Sequence, residues 1–311
     1  MTTVLVTGGA GFIGSHVVEE LVERDYNVGV IDSLVSGDLS NLERVIDEIE
    51  FWRVDVQDPR GVETVFSEFE PDVVVHLAAQ TNVRYSMRNP VADASVNVMG
   101  TLNLASLASR YEVERFVYAS SGGAVYGEPQ YLPVDEEHPT RPISSYGASK
   151  LAGEHYVRVY AEADGFDHVI LRYANVYGPR QDPRGEAGVI SIFLHRAARG
   201  EPLRVFGDGE QTRDFVFVRD VARVTADAVE KGRGVYNIGS GRETSVNEIV
   251  ELVRKVTGRD VKVVYEDARA GEVRRIYLDI TRARKELDFE PETDLEEGVK
   301  ITWEWIKSNV P

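Results

Sequence analysis

The chain contains no cysteine, which excludes disulfide bonds, thiolate nucleophiles and zinc–thiolate sites. Its six histidines are scattered without the spacing of a metal site, so we expect no bound metal. Positive charge is also scarce, since 35 basic residues are set against 52 acidic ones and the formal net charge is -17. Because nucleic-acid binding relies on a basic surface, this balance argues against a nucleic-acid partner.

Long hydrophobic runs are absent as well. No stretch of about 18 apolar residues occurs, and only three residues precede the first apolar run at 4–6, so we expect neither a membrane span nor a signal peptide. These absences predict a cytoplasmic protein without a membrane partner. The 311 residues, 42% of them hydrophobic, suffice for two lobes with sizeable cores.

Short β-branched runs alternate with amphipathic stretches through the first half of the chain. Strands that alternate with helices predict a parallel, doubly wound sheet that binds ligands at the carboxyl ends of its strands. After about residue 175, Pro/Gly-rich loops interrupt the pattern before helical periodicity returns at 246–257 and 295–307. We therefore predict an α/β protein, a Rossmann-like doubly wound parallel sheet with a smaller, mixed α/β substrate-binding lobe. The predicted strands are 4–6, 28–31, 51–54, 73–76, 115–118 and 169–172.

A glycine-rich segment, Thr7-Gly-Gly-Ala-Gly-Phe-Ile-Gly14, follows the first predicted strand and opens a predicted helix at 15–24. Its glycines allow a tight turn and let a pyrophosphate approach the N–H groups of the helix N-terminus. The next strand ends at Asp32, where a carboxylate can bind the ribose hydroxyls and repel a 2′-phosphate. Together they predict a site for NAD rather than NADP. A glycine-rich turn that serves packing alone is the alternative.

The segment Tyr146-Gly-Ala-Ser-Lys150 places a phenol and an ammonium four positions apart, on one face of a helix. A positive charge beside a phenol favours the phenolate, so we expect a lowered pKa for Tyr146 and a role as general base. Alone, the spacing also fits an ordinary exposed pair. Downstream of a dinucleotide motif it favours catalysis.

With these motifs and several others, the chain resembles the extended short-chain dehydrogenase/reductase superfamily from end to end, most closely its UDP-glucose 4-epimerase branch. The resemblance implies an NAD that is bound tightly and recycled, and a homodimer that pairs helices at 97–109 and 149–161. The further matching segments are Asp32-Ser-Leu-Val-Ser-Gly37 with Asn41, Asp55-Val56, His76-Leu-Ala-Ala-Gln80, Asn97, Ser120-Ser-Gly-Gly-Ala-Val-Tyr-Gly127, Arg172-Tyr-Ala-Asn-Val-Tyr-Gly-Pro179, residues 206–215 and Arg269-Ala-Gly-Glu272.

The resemblance also implies which residues hold the cofactor. For the small residues at 77–79, packing at a strand end is an alternative explanation. The implied set runs from the pyrophosphate through the adenosine ribose and adenine to the nicotinamide, and consists of Gly8, Gly11, Phe12, Ile13, Gly14, Asp32, Ser33, Ser36, Gly37, Asp55, Val56, Leu77, Ala78, Ala79, Gln80, Asn97, Tyr146, Lys150 and Tyr173.

For the nucleotide sugar, the resemblance implies two arginines on the diphosphate, whose forked guanidinium groups match phosphate oxygens. Surface arginines paired with Asp214 and Glu272 are the alternative. The implied substrate residues are Ser121, Tyr146, Asn175, Gly188 and Val189 near the sugar, Arg204 and Phe206 beside uracil, and Arg213 and Arg269 on the diphosphate.

The reaction that the resemblance implies is a redox cycle without net redox change. Tyr146, assisted by Lys150, takes the proton of the sugar 4-hydroxyl while hydride passes from C4 to NAD. The 4-ketose then presents its other face and takes the hydride back. The family usually has Ser or Thr at the position of Gly122, so its hydroxyl would come here from Ser121 or alternatively from Ser120.

Sister reactions stay open at the level of sequence. Gly123 and Ala124 stand where the related 4,6-dehydratases and decarboxylases carry acidic residues, which argues for simple epimerisation. A UDP-N-acetylglucosamine or UDP-glucuronate 4-epimerase is an alternative, and Ile276 does not decide the hexose. An inert NAD-binding protein is another. The expected division is a Rossmann domain at 1–174 joined by 215–240, and a nucleotide-sugar lobe at 175–214 and 241–311.

Overall fold

A computed structural model describes residues 1–183, 188–268 and 273–309 of the chain. Strands and helices alternate through its first half. The strands are β1 (Thr3–Thr7), β2 (Asn27–Ile31), β3 (Ile49–Trp52), β4 (Val73–His76), β5 (Arg115–Ser121), β6 (Asp167–Tyr173), β7 (Asn175–Tyr177), β8 (Leu203–Phe206), β9 (Thr212–Arg213), β10 (Phe215–Phe217), β11 (Gly234–Ile238), β12 (Thr244–Ser245) and β13 (Val263–Glu266).

Helices follow most of these strands. Two short 3-10 turns, Leu39–Leu42 and Ile46–Glu48, and one π-helical turn, Ser95–Met99, complete the described elements. The helices are α1 (Phe12–Glu23), α2 (Pro59–Phe69), α3 (Val83–Arg88), α4 (Pro90–Ala94), α5 (Gly100–Arg110), α6 (Ser145–Asp164), α7 (Val189–Ala198), α8 (Val218–Asp227), α9 (Val246–Thr257), α10 (Thr281–Glu286) and α11 (Leu295–Asn309).

Seven strands form one parallel sheet in the order β11-β6-β5-β4-β1-β2-β3. The chain runs outward from β1 to β3 and then resumes on the other side of β1 with β4. Sheets of this kind bind ligands at that reversal, outside the carboxyl ends of the strands. The predicted α/β, Rossmann-like class is confirmed, and β11 adds a seventh strand to the six that the pattern indicated.

Local sequence explains where the helices begin. The side chain of Ser144 accepts a hydrogen bond from the N–H of Gly147 and caps α6, which ends at Gly165 in the left-handed conformation. Ser245 and Glu248 form a reciprocal capping box at α9. The predicted start of the first helix at residue 15 is too late, because the backbone of Gly11 already caps α1 and the helix begins at Phe12.

The second half of the chain builds smaller layers. β8 pairs with β13, β9 with β12, and β7 with β10, in three two-stranded sheets. Helices α7, α9 and α11 pack together around a separate apolar cluster that includes Phe193, Val253 and Trp303. Ile276, Leu278 and other apolar residues of 273–289 instead join the cluster that contains β1 and β6. The predicted mixed α/β character of this part is thus observed.

No helix within the described ranges is long and apolar enough to cross a membrane. Nor does this part of the chain hold a group of three or more His, Asp or Glu side chains that could bind a metal ion.

Candidate active site

The turn between β1 and α1 approaches the residues that follow β4 too closely for a side chain at Gly8. Gly8 has a φ of +73°, and a Cβ on it would lie 2.7 Å from the backbone nitrogen of Ala78. A Cβ on Gly14 would lie 2.1 Å from the carbonyl oxygen of Gly8. The first helical hydrogen bond runs from the N–H of Ser15 to Gly11, so the N–H groups of 12–14 have no intrahelical acceptor. This geometry suits a phosphate group at the helix N-terminus.

Asp32 stands at the end of β2, with its carboxylate beside that turn. Its two oxygens accept hydrogen bonds from the backbone N–H groups of Ala10 at 3.0 Å and Leu34 at 2.8 Å. Burial raises the pKa of Asp32, and these two donors oppose the rise. A Cβ on Gly37 would lie 2.8 Å from the carboxylate, so the following loop closes tightly over Asp32. In that loop Ser33 is partly buried and Ser36 is exposed.

The carboxyl ends of β3 and β4 form the neighbouring part of the same edge. Asp55 accepts hydrogen bonds from Gln57, and Val56 is buried beneath Gly100. Leu77, Ala78 and Ala79 are partly buried where β4 ends.

His76 and Asn97 hold these strand ends in place. The ring of His76 bridges the hydroxyls of Thr7 and Thr101 at 2.7 and 2.9 Å, and burial lowers its pKa well below the usual value. The side chain of Asn97, on the π-helical turn, exchanges two hydrogen bonds with the backbone of Gln80. Both residues therefore fix the segment that the sequence assigns to the cofactor.

Tyr146 and Lys150 lie on the first turns of α6, as their spacing predicts. The N–H of Tyr146 donates to Ser86, and its carbonyl accepts from Ser149. Lys150 is buried, and its ammonium nitrogen lies 4.5 Å from the centre of the Tyr118 ring. Within the described ranges no hydrogen-bond acceptor pairs with this ammonium. It can therefore bind ligand oxygens, such as the hydroxyls of a ribose.

The prediction that the pKa of Tyr146 is lowered is wrong when only the groups of the protein chain are considered. Burial raises the pKa of Tyr146 to about 12, the charge of Asp93 adds to the rise, and a hydrogen bond from Ser121 opposes it. Burial likewise lowers the pKa of Lys150 to about 8, against the charges of Glu154 and Asp93. Desolvation of the phenol outweighs the attraction that the sequence spacing suggested.

The two candidate serines have different partners. Ser120 is buried, and its hydroxyl donates to Glu154, which also forms a two-pronged ion pair with Arg172 at 2.9 and 2.6 Å. Ser121 is partly exposed, and its hydroxyl opposes the rise in the pKa of Tyr146. A Cβ on Gly122 would lie 2.7 Å from the side chain of Leu278, with still less room for the hydroxyl-bearing residue usual there.

The residues implied for the nucleotide sugar lie on several short elements. Asn175 is on β7 and is partly buried, and Gly188 and Val189 begin α7. On β8, Arg204 is exposed and lies 3.4 Å from Glu266, while Phe206 ends the strand.

Of the two arginines implied for the diphosphate, the structure describes Arg213. Arg213, on β9, donates to the carbonyl of Thr212 at 2.7 Å. Asp214, its suggested alternative partner, accepts hydrogen bonds from Ser240 and Gly241. Arg269 and Glu272 lie outside the described residues.

Two expected positions lie deeper than a ligand contact requires. Tyr173 is buried in the main core, and its hydroxyl is 2.7 Å from that of Thr225 on α8. Ile276 is 2% exposed in the same core. The role of Tyr173 beside the nicotinamide stays a prediction, and Ile276 leaves the identity of the hexose open.

Two buried acids at the site were not found from the sequence. Glu154 and Asp93 are the charged groups that act on Lys150. Their spacing gives a signal, because Glu154 follows Lys150 by one helical turn and Asp93 precedes Asn97 by one. Such spacing is common in exposed helices, so it identifies a site only once burial is known.

Comparisons with known proteins agree with this geometry. A family model described as GDP-mannose 4,6 dehydratase matches residues 5–302. The UDP-glucose 4-epimerase of Mycolicibacterium smegmatis is 42% identical over 308 residues, which cover 98% of both chains. A UDP-glucose 4-epimerase from Thermotoga maritima, solved with UDP-glucose, is 46% identical, has a TM-score of 0.96 and covers 100% of each chain. The one from Thermus thermophilus, solved with NAD, is 42% identical, has a TM-score of 0.94 and covers 99% of this chain and 100% of its own.

Proposed function

Because the chain belongs to the NAD-dependent epimerase/dehydratase family of the extended short-chain dehydrogenase/reductase superfamily, we propose that it is a UDP-glucose 4-epimerase. It interconverts UDP-glucose and UDP-galactose through a transient 4-keto sugar and serves galactose metabolism. The observation that carries this proposal is the placement of Tyr146 one helical turn from the buried Lys150 on α6, together with Ser121 at the carboxyl end of β5, which acts on the pKa of Tyr146.

The residues of the chain supply the acid–base part of the reaction. When bound, NAD accepts hydride from C4 and returns it, and its positively charged ring favours the phenolate of Tyr146. Tyr146 takes the proton of the 4-hydroxyl and gives it back to the carbonyl oxygen, so no proton is lost over the cycle. Ser121 donates a hydrogen bond to the same oxygen, and the charge of Lys150 stabilises the phenolate.

The glycine turn supports the proposed cofactor site, since only glycine fits where the backbone at Gly8 approaches Ala78. Asp32 supports the choice of NAD, because a buried carboxylate at the end of β2 repels the 2′-phosphate of NADP. Lys150 would bind the nicotinamide ribose through its ammonium, which has no hydrogen-bond acceptor among the described residues. The other implied cofactor and sugar residues are proposed in the same roles.

The lining at 122–124 supports epimerisation over elimination. Gly123 and Ala124 carry no acid or base, so the chain offers none there to remove a proton from C5 or protonate a leaving group at C6. A sugar nucleotide bound here would exchange hydride at C4 and leave intact.

We also propose the two-lobe division, with 1–174 and 215–240 as the NAD domain and 175–214 and 241–311 as the nucleotide-sugar lobe. The pairing of β11 with β6 supports the return of the chain to the first domain. The packing of 273–289 on the first core modifies the division, since this segment bridges the two parts.

A cytoplasmic location and a homodimer complete the proposal. NAD and UDP-sugars are metabolites of the cytoplasm, which supports the location. Exposed apolar side chains on the two helices that the family pairs support the dimer: Met99, on the turn preceding α5, is 53% exposed, and Tyr156 and Val159 on α6 are 40% and 55% exposed.

The test is turnover without an added reductant. Purified protein is incubated separately with UDP-galactose, UDP-N-acetylgalactosamine and UDP-galacturonate, and the products are separated by chromatography. We expect UDP-glucose from the first, with a loss of at least about 10³-fold in Tyr146→Phe, because the general base is removed. Tyr26→Phe is the matched control, since Tyr26 precedes β2 at the opposite edge of the sheet. Conversion of only another substrate would reassign the hexose, and no product from any would contradict the proposal.

A further inference from the structure

Asp93 is a buried carboxylate that the proposed reaction does not use. It lies on α4 and is fully buried. One of its oxygens accepts hydrogen bonds from the side chains of Gln80 at 2.7 Å and Asn97 at 3.2 Å. The other oxygen is buried with no hydrogen-bond partner among the described residues. Burying such a group is costly unless a nearby positive charge compensates it.

Charge balance identifies the compensating group. Four charged side chains are buried in this part of the molecule: Asp93, Lys150, Glu154 and Arg172. Glu154 and Arg172 satisfy each other through their ion pair. One anion and one cation are left, and neither Asp93 nor Lys150 has an ion pair within the part of the chain that the structure describes.

A chain of hydrogen bonds links Asp93 to the helix that carries the catalytic groups. The amide of Asn97 donates both to Asp93 and, at 3.0 Å, to the hydroxyl of Ser149. Ser149 in turn donates to the carbonyl of Tyr146 at 2.9 Å, and Lys150 is the next residue. Asp93 is thus linked to the backbone of the helical turn that carries both catalytic residues.

We propose that Asp93 is the buried counter-charge of Lys150, which keeps the ammonium protonated and so sets the pH range in which Tyr146 works. Its effect on turnover rests on the proposed epimerase function, whereas its effect on Lys150 does not. Asp93 acts through Lys150 and needs no contact with the substrate.

The electrostatics support this role. Burial lowers the pKa of Lys150, and the charges of Glu154 and, after it, Asp93 oppose that fall; of these two acids only Glu154 has an arginine partner, Arg172. Asp93 raises the pKa of Tyr146 and of Tyr118 as well, so its field reaches all three groups. A negative charge has this sign of effect on every neighbour, because it penalises the loss of a proton.

Among the titratable groups around Lys150, Asp93 is the anion that has no ion pair with a described residue. His76 on β4 is neutral because burial lowers its pKa, and Tyr118 on β5 is neutral because burial raises its pKa. Glu154 on α6 is paired with Arg172. Helix α3 also packs against α6, and its charged residues, Arg84 and Arg88, are exposed and positive.

Asp93→Asn isolates the charge from the packing. Asparagine keeps an oxygen that accepts from Gln80 and Asn97, and it replaces the oxygen without a partner by an uncharged amide nitrogen of similar size. The pKa of Lys150 should fall, so the alkaline limit of activity moves to lower pH. The pKa of Tyr146 should fall too, so the acid limit moves the same way. A purely structural role would lower activity at every pH without moving either limit.

Direct titration of Lys150 tests the proposal without relying on turnover. The holoenzyme is labelled with ¹³C at lysine Cε, which gives seven resonances, and the Lys150 signal is the one absent from Lys150→Arg. We expect its titration midpoint to fall by about one pH unit in Asp93→Asn. An unchanged midpoint, or a pH–rate profile that keeps its limits, would overturn the proposal.

Two further variants complete the design. Asp93→Ser is a second neutral substitution in case Asp93→Asn does not fold, and it should shift the same resonance in the same direction. Asp220→Asn removes another buried carboxylate, on α8, and should leave the Lys150 titration unchanged. If the unmodified protein turned over no sugar nucleotide, the titration would still decide the role of Asp93.

Discussion

Ser120 and Ser121 are adjacent at the end of β5, yet their hydroxyls face different surroundings. Successive side chains of a strand point to opposite faces, so Ser120 hydrogen bonds to Glu154 while Ser121 lies on the other face and acts on the pKa of Tyr146. A Cβ on Gly122 would lie 2.7 Å from the end of the Leu278 side chain, so a hydroxyl-bearing residue at the next position would require Leu278 to shift. The choice that the sequence left open between the two serines is therefore a choice between a buried structural hydroxyl and an accessible one.

Ser121→Ala should lower kcat by about 10²-fold, because one hydrogen-bond donor to the reacting oxygen is removed. Ser120→Ala is the matched control, and it should keep turnover within about threefold while lowering stability by about 1–2 kcal/mol. Steady-state kinetics with UDP-galactose and thermal unfolding of both variants make the comparison. Similar losses of kcat in the two would contradict the assignment.

The pKa of Tyr146 shows what residue spacing can and cannot predict. The interval between Tyr146 and Lys150 correctly puts both on one face of α6. It does not reveal how far the phenol is desolvated, since the groups around it come from distant parts of the chain, such as Asp93 and Ser121. The balance between desolvation and charge therefore depends on the tertiary structure.

At the scale of elements, the turn between β1 and α1 was the clearest feature of the sequence. Its glycines are required by close backbone contacts. Such contacts are a general feature of the first strand-to-helix turn in dinucleotide-binding folds. The strand at 49–52 lies two residues earlier than predicted, because the β-branched Val54 extends the apparent strand pattern beyond the end of the ladder. No sequence pattern around Asn97 predicts the π-helical turn on which it lies. The wider turn packs against α6, so it depends on tertiary contacts.

Gly8→Ala should abolish NAD binding and destabilise the fold by more than the roughly 1–2 kcal/mol that a left-handed alanine costs. Its Cβ would collide with the backbone of Ala78 and displace the turn. Gly258→Ala is the matched control, because Gly258 has a φ of +64° and no atom within 4 Å of the added Cβ. Bound NAD after purification and urea unfolding report on both. Equal behaviour of the two variants would show that φ alone, and not the close approach, requires glycine at position 8.

At the scale of the molecule, sequence periodicity correctly predicted the doubly wound layer and the helices at 246–257 and 295–307, whereas it did not predict the short strands of the second half. Parallel strands buried on both faces are continuous apolar runs, which are easily recognised. The strands after residue 175 are only two to five residues long and pair with partners far along the chain, so their pattern carries little information. The return of 273–289 to the first core depends likewise on tertiary contacts.

The proposed dimer can be tested by one added charge. Val159 is 55% exposed on α6, on the helix that the family pairs across subunits, and a monomer would leave it in water with Met99 and Tyr156. Val159→Asp should convert a dimer to a monomer, because the buried carboxylate would have no partner at the helix interface. Ile46→Asp is the matched control, since Ile46 is 38% exposed on a short turn just before β3, away from both helices. Sedimentation equilibrium gives the mass of each variant. A monomeric unmodified protein would exclude the dimer, whereas a dimer that persists in Val159→Asp would place the interface on another face.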